Sequence, residues 1–176
     1  MSERLPDFLN VSRLARQGVA FKGRVPIARL ARLASILADA DGEAEAELAF
    51  SMDDQGIPVV RGRVTAPVAL TCQRCLEPME QVLASRFVLG AVASEAEAER
   101  LPEEYEPLLV SGDRVATADL LEDELILAVP IVPMHEPERC TATKAVAAVE
   151  GKPGPAAGNR EAAHPFAVLD ELKRKQ

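Results

Sequence analysis

Residues 43–50 read Glu-Ala-Glu-Ala-Glu-Leu-Ala-Phe, and the fold turns on this octapeptide. Glu43, Glu45 and Glu47 alternate with Ala44, Ala46, Leu48 and Phe50, the period of two expected of a strand with one wet face. The following MDDQG (52–56) supplies turn chemistry, because Asp and Gly tolerate turn backbone conformations. The next run, PVVRGRVTAPVALTC, sets Val60, Gly62, Val64, Ala66, Val68 and Leu70 against Arg61, Arg63 and Thr65. Pro58 and Pro67 cannot donate a ladder hydrogen bond, so this second strand is expected at a sheet edge or with a bulge. After the break CQRCLEP, Gln81–Val92 reads as a third strand. Three strands with short links make an antiparallel meander.

Helices are expected on either side of it. Upstream, NVSRLARQ (10–17) predicts a short helix capped by Asn10 and stopped at Gly18. Pro26 opens a second, over 26–38, with Ile27, Leu30, Ala31, Ala34 and Leu37 on one face and Arg29 and Arg32 on the other. Downstream, 94–107 is acidic and proline-broken and reads as a mobile loop, and Leu108–Val110 as a strand. Thr117–Val129 predicts a helix, with Asp119 and Glu122 matching a capping box and Leu120, Leu121, Leu125, Ile126 and Val129 as its apolar face. Pro130 and Pro133 end it. Residues 141–160 have no period and read as a flexible linker. Residues 161–176 offer a short amphipathic helix with Phe166, Leu169 and Leu172 on one side.

The chain of 176 residues has room for one ordinary domain with tails. Only 3% of it is aromatic, which leaves little for base-stacking platforms. No basic-then-apolar leader and no membrane-length apolar run is present, and three cysteines fit a reducing compartment, so a cytoplasmic protein away from the membrane is expected. The net charge of −8 argues against wholesale capture of nucleic acid, with DNA not an expected partner. The charge is uneven, however. Residues 1–36 carry seven bases against two acids, residues 37–54 seven acids and no base, and residues 95–140 thirteen acids against three bases. Such a chain can offer different faces to different partners.

Cys72-Gln73-Arg74-Cys75 is the sharpest local motif. A CxxC at a strand end can place two thiolates on one zinc ion. It can equally be a buried or free thiol pair, or a redox pair, although redox motifs open a helix in a βαβ unit and strands flank this one. Further zinc ligands by type and position are His135 and Cys140, completing a Cys3His set for a structural zinc. Paired knuckles usually carry Gly after the second Cys, and this chain has Leu76. Catalytic sets fail by count: there are two histidines, and no G-x-S-x-G, P-loop or H-E-x-x-H. An enzyme is not expected.

TCQRCLEPM, LPEEYEPLLV, ADLLEDELILAVPIVPMHEPERC and HPFAVLDELKRK resemble, in that order, segments of the YceD family, named for large ribosomal RNA subunit accumulation. Arg13, Phe21-Lys22-Gly23 and the helix ending at Leu37 sit where that family's N-terminal segment would be. The resemblance implies a role in synthesis, processing or stability of 23S ribosomal RNA, without known catalysis. The family's cysteine pair maps onto Cys72 and Cys75 and its later His and Cys onto His135 and Cys140, with Leu76 where some relatives carry Gly.

These readings lead to an α+β protein: a mostly antiparallel sheet or open barrel packed by a few helices, with a domain over 1–140 and a flexible C-terminal segment. The expected function is ribosome biogenesis by binding 23S rRNA or its precursor through Arg13, Arg16, Lys22, Arg24, Arg29, Arg32 and Arg74, joined by Arg61 and Arg63 if their strand face lies alongside. The alternative is a zinc-binding adaptor for a basic large-subunit ribosomal protein, making no RNA contact.

Overall fold

The computed structural model describes residues 5–110, 112 and 114–143. The expected terminal helix (161–176) and all of the linker beyond residue 143 lie outside them. The chain runs β1 (Phe8–Leu9), α1 (Val11–Gln17), β2 (Ala20–Pro26), a 3-10 turn (Ile27–Arg29), α2 (Ala31–Ala34), β3 (Glu43–Met52), β4 (Pro58–Thr71) and β5 (Pro78–Val92). There follow α3 (Glu95–Ala98), β6 (Glu106–Leu109), β7 (Val115–Ala116) and α4 (Thr117–Leu127). An open five-stranded sheet in the order β2-β3-β4-β5-β6 is antiparallel except for its last pair, and β1 pairs with β7 in a separate ribbon. The protein is α+β with a mostly antiparallel sheet.

The alternation read at 43–50 is the alternation of burial: Ala44, Ala46, Leu48 and Phe50 are buried, while Glu43 and Glu45 are exposed. The inner face continues through Val60, Val64 and Ala66 of β4 and Leu83, Phe87 and Leu89 of β5. Helix α1 covers β3 and β4, and α4 covers β4 and β5. Leu120, Leu121 and Leu125 of α4 enter the same core.

Five expectations need correction. First, β4 is central, not an edge. Its prolines are harmless for two reasons: Pro58 opens the strand, and the β3 ladder stops at Thr65. Ala38 N donates to Ala69 O, so alternate residues here face away from β5, and Pro67 shares that side where no β3 residue remains to pair. Second, the helix over 26–38 is broken at Leu30 (φ −98°, ψ 77°) into the 3-10 turn and α2. The break lets Ile27, Leu30 and Leu33 all bury completely.

Third, Glu122 does not cap its own helix, which begins at Thr117. Its carboxylate accepts from Arg32 N (2.7 Å), Leu33 N (3.1 Å) and Arg32 Nε (2.7 Å). It thus caps α2 from ninety residues away. Burial pushes the Glu122 carboxyl up, but these bonds outweigh it and hold it below the usual range. Glu124 is different: burial raises it, against one bond from Ser85 Oγ (2.7 Å).

Fourth, 94–107 is ordered. Ser94 caps α3 by accepting from Glu97 N, and the Glu97 carboxylate reaches back past the cap to accept from Ala93 N. The segment is the crossover that a parallel β5–β6 pair needs. It lies against Gly90, where a Cβ would come within 2.9 Å of Leu101 Cδ2. Tyr105 is buried there, as are Val59 and Val92 nearby on the sheet. Fifth, the last sheet strand is Glu106–Leu109, two residues earlier than expected at its start.

Candidate metal centre and nucleic-acid face

The β4–β5 turn is Cys72 to Glu77. Cys72 N donates to Glu77 O (3.0 Å) and Leu76 N to Cys72 O (2.9 Å), which folds the six residues tightly. Leu76 takes φ 61°, a left-handed conformation that favours glycine. Beyond α4 the chain returns to this turn. Gln73 N donates to Pro133 O (2.8 Å), and His135 N points at Cys72 Sγ (3.4 Å). Residues 136–140 then turn on Glu136 O, which accepts from Arg139 N and Cys140 N, bringing Cys140 back inward.

The result places all four predicted ligands together. The Sγ atoms of Cys72, Cys75 and Cys140 and a ring nitrogen of His135 lie within 4.8 Å of one another. Cys75 Sγ is 3.3 Å from His135 Nδ1. Cys72 and Cys140 are buried, and no disulfide joins the three cysteines. Burial pushes the Cys72 thiol up, yet the backbone N–H groups of Cys75, His135 and Arg74 prevail and bring it down to about 5. Bonds of about 2.3 Å to sulfur and 2.0 Å to nitrogen in a tetrahedral zinc site imply donor separations of roughly 3.5–3.8 Å. Donor atoms no more than 4.8 Å apart, with the Cys75–His135 pair at 3.3 Å, lie close to that geometry, so these residues fit a metal ion.

The seven predicted RNA-facing bases divide among four places. Arg13 and Arg16 are exposed on α1. Arg29 pairs with Asp7 (2.9 Å), and Arg32 is engaged by Glu122 and Asp123, both at 2.7 Å. Arg74, in the β4–β5 turn, points its guanidinium at Met134 Sδ (3.7 Å). Lys22 and Arg24 lie on the outer sheet face, opposite α1 and α4, where Arg24 meets Glu45 (2.6 Å) and Glu43 (3.5 Å).

That outer face also carries cations that sequence reasoning names only conditionally, or misses. Register puts Lys22, Glu47, Arg63 and Arg86 in one row across β2, β3, β4 and β5. Arg61 stands one pleat along and donates to Ser51 Oγ (3.0 Å). Glu47 sits between Lys22 (2.7 Å) and Arg63 (2.8 Å), and these two, Arg63 foremost, hold its carboxyl down at about 2. Arg86 makes no ion pair among the described residues, and its directly opposite neighbour is Arg63. The sequence holds a signal for Arg86: once the turn is centred between Arg74 and Cys75, pairing Cys72 with Glu77, the opposition of Arg63 and Arg86 follows by counting.

Among the described residues no helix is long and apolar enough to cross a membrane. No solved structure matches the chain. The family model described as large ribosomal RNA subunit accumulation protein YceD matches residues 60–173. A Haemophilus influenzae protein of the same description is 35% identical over 175 residues, spanning 98% of each chain. The chain therefore belongs to the YceD family.

Proposed function

We propose that this protein promotes the accumulation of 23S ribosomal RNA in the cytoplasm by binding the RNA or its precursor, with no bond made or broken. One observation carries the choice of surface: on the sheet face opposite α1 and α4, Arg63 and Arg86 stand directly opposite each other, with Arg61 and Lys22 beside them and Glu47 as the acid between. Like charges opposed across strands destabilise a sheet, and a phosphate backbone lying over them relieves that repulsion. The family's description supports the RNA as target. The non-catalytic reading is supported by the family's description, which names accumulation of an RNA and no reaction.

The test is binding of a 23S precursor fragment by the full chain across a salt series. Arg63→Glu with Arg86→Glu should weaken binding and lower the slope of log K against log salt by about 0.7–0.9 per lost phosphate contact. Binding equal to wild type would remove this face as the contact.

A second reading has its own observation. Leu76, Ile131, Val132 and Met134 are exposed apolar residues in the two segments that build the cysteine cluster. They favour an adaptor that holds a basic large-subunit ribosomal protein. Nuclease-resistant capture of such a protein, with no affinity of the wild-type chain for the RNA fragment, would select it.

A further inference from the structure

We propose that Cys72, Cys75, His135 and Cys140 bind one zinc ion in a closed tetrahedral set, and that this ion is the clamp fastening residues 133–140 to the β4–β5 turn. Three observations converge on it.

The first is composition and closure. Two segments some sixty residues apart bring three thiols and one imidazole within 4.8 Å, without any disulfide. Three thiolates and an imidazole are a soft-to-borderline donor set that suits zinc better than magnesium or calcium. Four protein donors leave no open position, which makes the site structural and not catalytic.

The second is the backbone. Among the described residues Leu76 is the non-glycine with positive φ, and its side chain is 72% exposed, so burial does not compensate the left-handed conformation. The conformation instead serves the turn. It lets Leu76 N reach Cys72 O and turns the chain after Cys75 so that both sulfurs face one point. Leu76 thus holds the backbone geometry for which glycine is the residue of choice.

The third is how little side-chain burial holds the second segment. After α4, Ile131 is fully exposed, and Val132 and Met134 are exposed as well. From 130 to 140 the buried side chain is Cys140. Neither Cys72 nor Cys140 belongs to the main apolar core. A segment with an outward-facing apolar stretch and an inward-facing thiol gains its fixed path from a bond at that thiol. Ligation by His135 and Cys140 provides two.

The full chain, purified under reducing conditions without chelator, should carry about one zinc per chain. Replacement by Co2+ should give the intense d–d absorption of a tetrahedral site with thiolate-to-metal charge transfer. Stripping the metal should lower the Tm, and added Zn2+ should restore it. Cys140→Ser should lose the metal, whereas His135→Cys, which leaves a four-thiolate set, should keep it. Should Cys140→Ser fail to fold, the cobalt spectrum of the wild type and the metal content of His135→Cys still decide. Metal well below one per chain with a Tm indifferent to both chelator and Zn2+ would overturn the proposal, and so would an octahedral cobalt spectrum.

Discussion

The two faces of the central sheet are written in the same strands, one residue apart. Val60 and Val64 of β4 look inward and are fully buried, while Arg61 and Arg63 between them look outward. Inward, Leu48, Gly62 and Phe87 lie side by side, and the glycine makes room for the phenyl ring: a Cβ there would come 2.2 Å from Phe87 Cζ. Outward, the adjacent row is Lys22, Glu47, Arg63 and Arg86. Close packing governs one side, and charge the part of the other that the crossover between β5 and β6 leaves open. The difference teaches that stability and binding are separable in this protein: inner substitutions should cost folding without altering binding, and outer ones should cost binding without costing stability.

The comparison is broken most severely from within. Leu121→Ala, at a fully buried α4 position, should destabilise by about 2–5 kcal/mol in urea unfolding while the folded fraction keeps its RNA affinity. Glu122→Ala comes next, at about 1–3 kcal/mol, because it leaves two N–H groups of α2 and Arg32 without their acceptor. Its pH signature follows from the sign of the shift. A carboxyl lowered on folding contributes stability above its unfolded pKa and loses it as pH falls through the folded value, so the variant should show a shallower acid limb than wild type.

Arg86→Thr sharpens the comparison by inverting it. Removing one of two opposed cations should raise stability by about 0.2–1 kcal/mol while lowering RNA affinity and its salt slope. Loss of both stability and affinity would show that the two faces are coupled. The smallest effect is expected from Leu76→Gly, which relieves the left-handed backbone at some entropic cost, for a net gain of about 0.5 kcal/mol in thermal unfolding.

The alternation at 43–50, the turn at 52–56 and the leucine face of α4 are local patterns, so the meander and its inner side are legible in the amino-acid sequence. The four cysteine and histidine ligands are legible by type, since few candidates exist and two close motifs flank long elements. What escapes depends on residues far apart in the chain. Leu30 breaks a helix that propensity favours, because three leucine and isoleucine side chains bury better from a kinked backbone and because Glu122 supplies the cap that the local sequence lacks. Arg86 reads as one more strand residue until the register of β4 on β5 is known. Residues 94–107 read as loop by composition, yet Leu101 and Tyr105 find an apolar end of the sheet.

The pairing of Phe8 with Ala116, and of Arg32 with Glu122, bears on how the protein is made. A ribosome delivers the N-terminus first, so β1 and α2 emerge long before the residues that hold them exist. The β3–β4–β5 meander, whose contacts are near neighbours, is free to form while translation continues. Its earliest-synthesised flank must wait for nearly the last elements of the described body, and a nascent chain stalled before Ala116 should therefore expose that flank to protease.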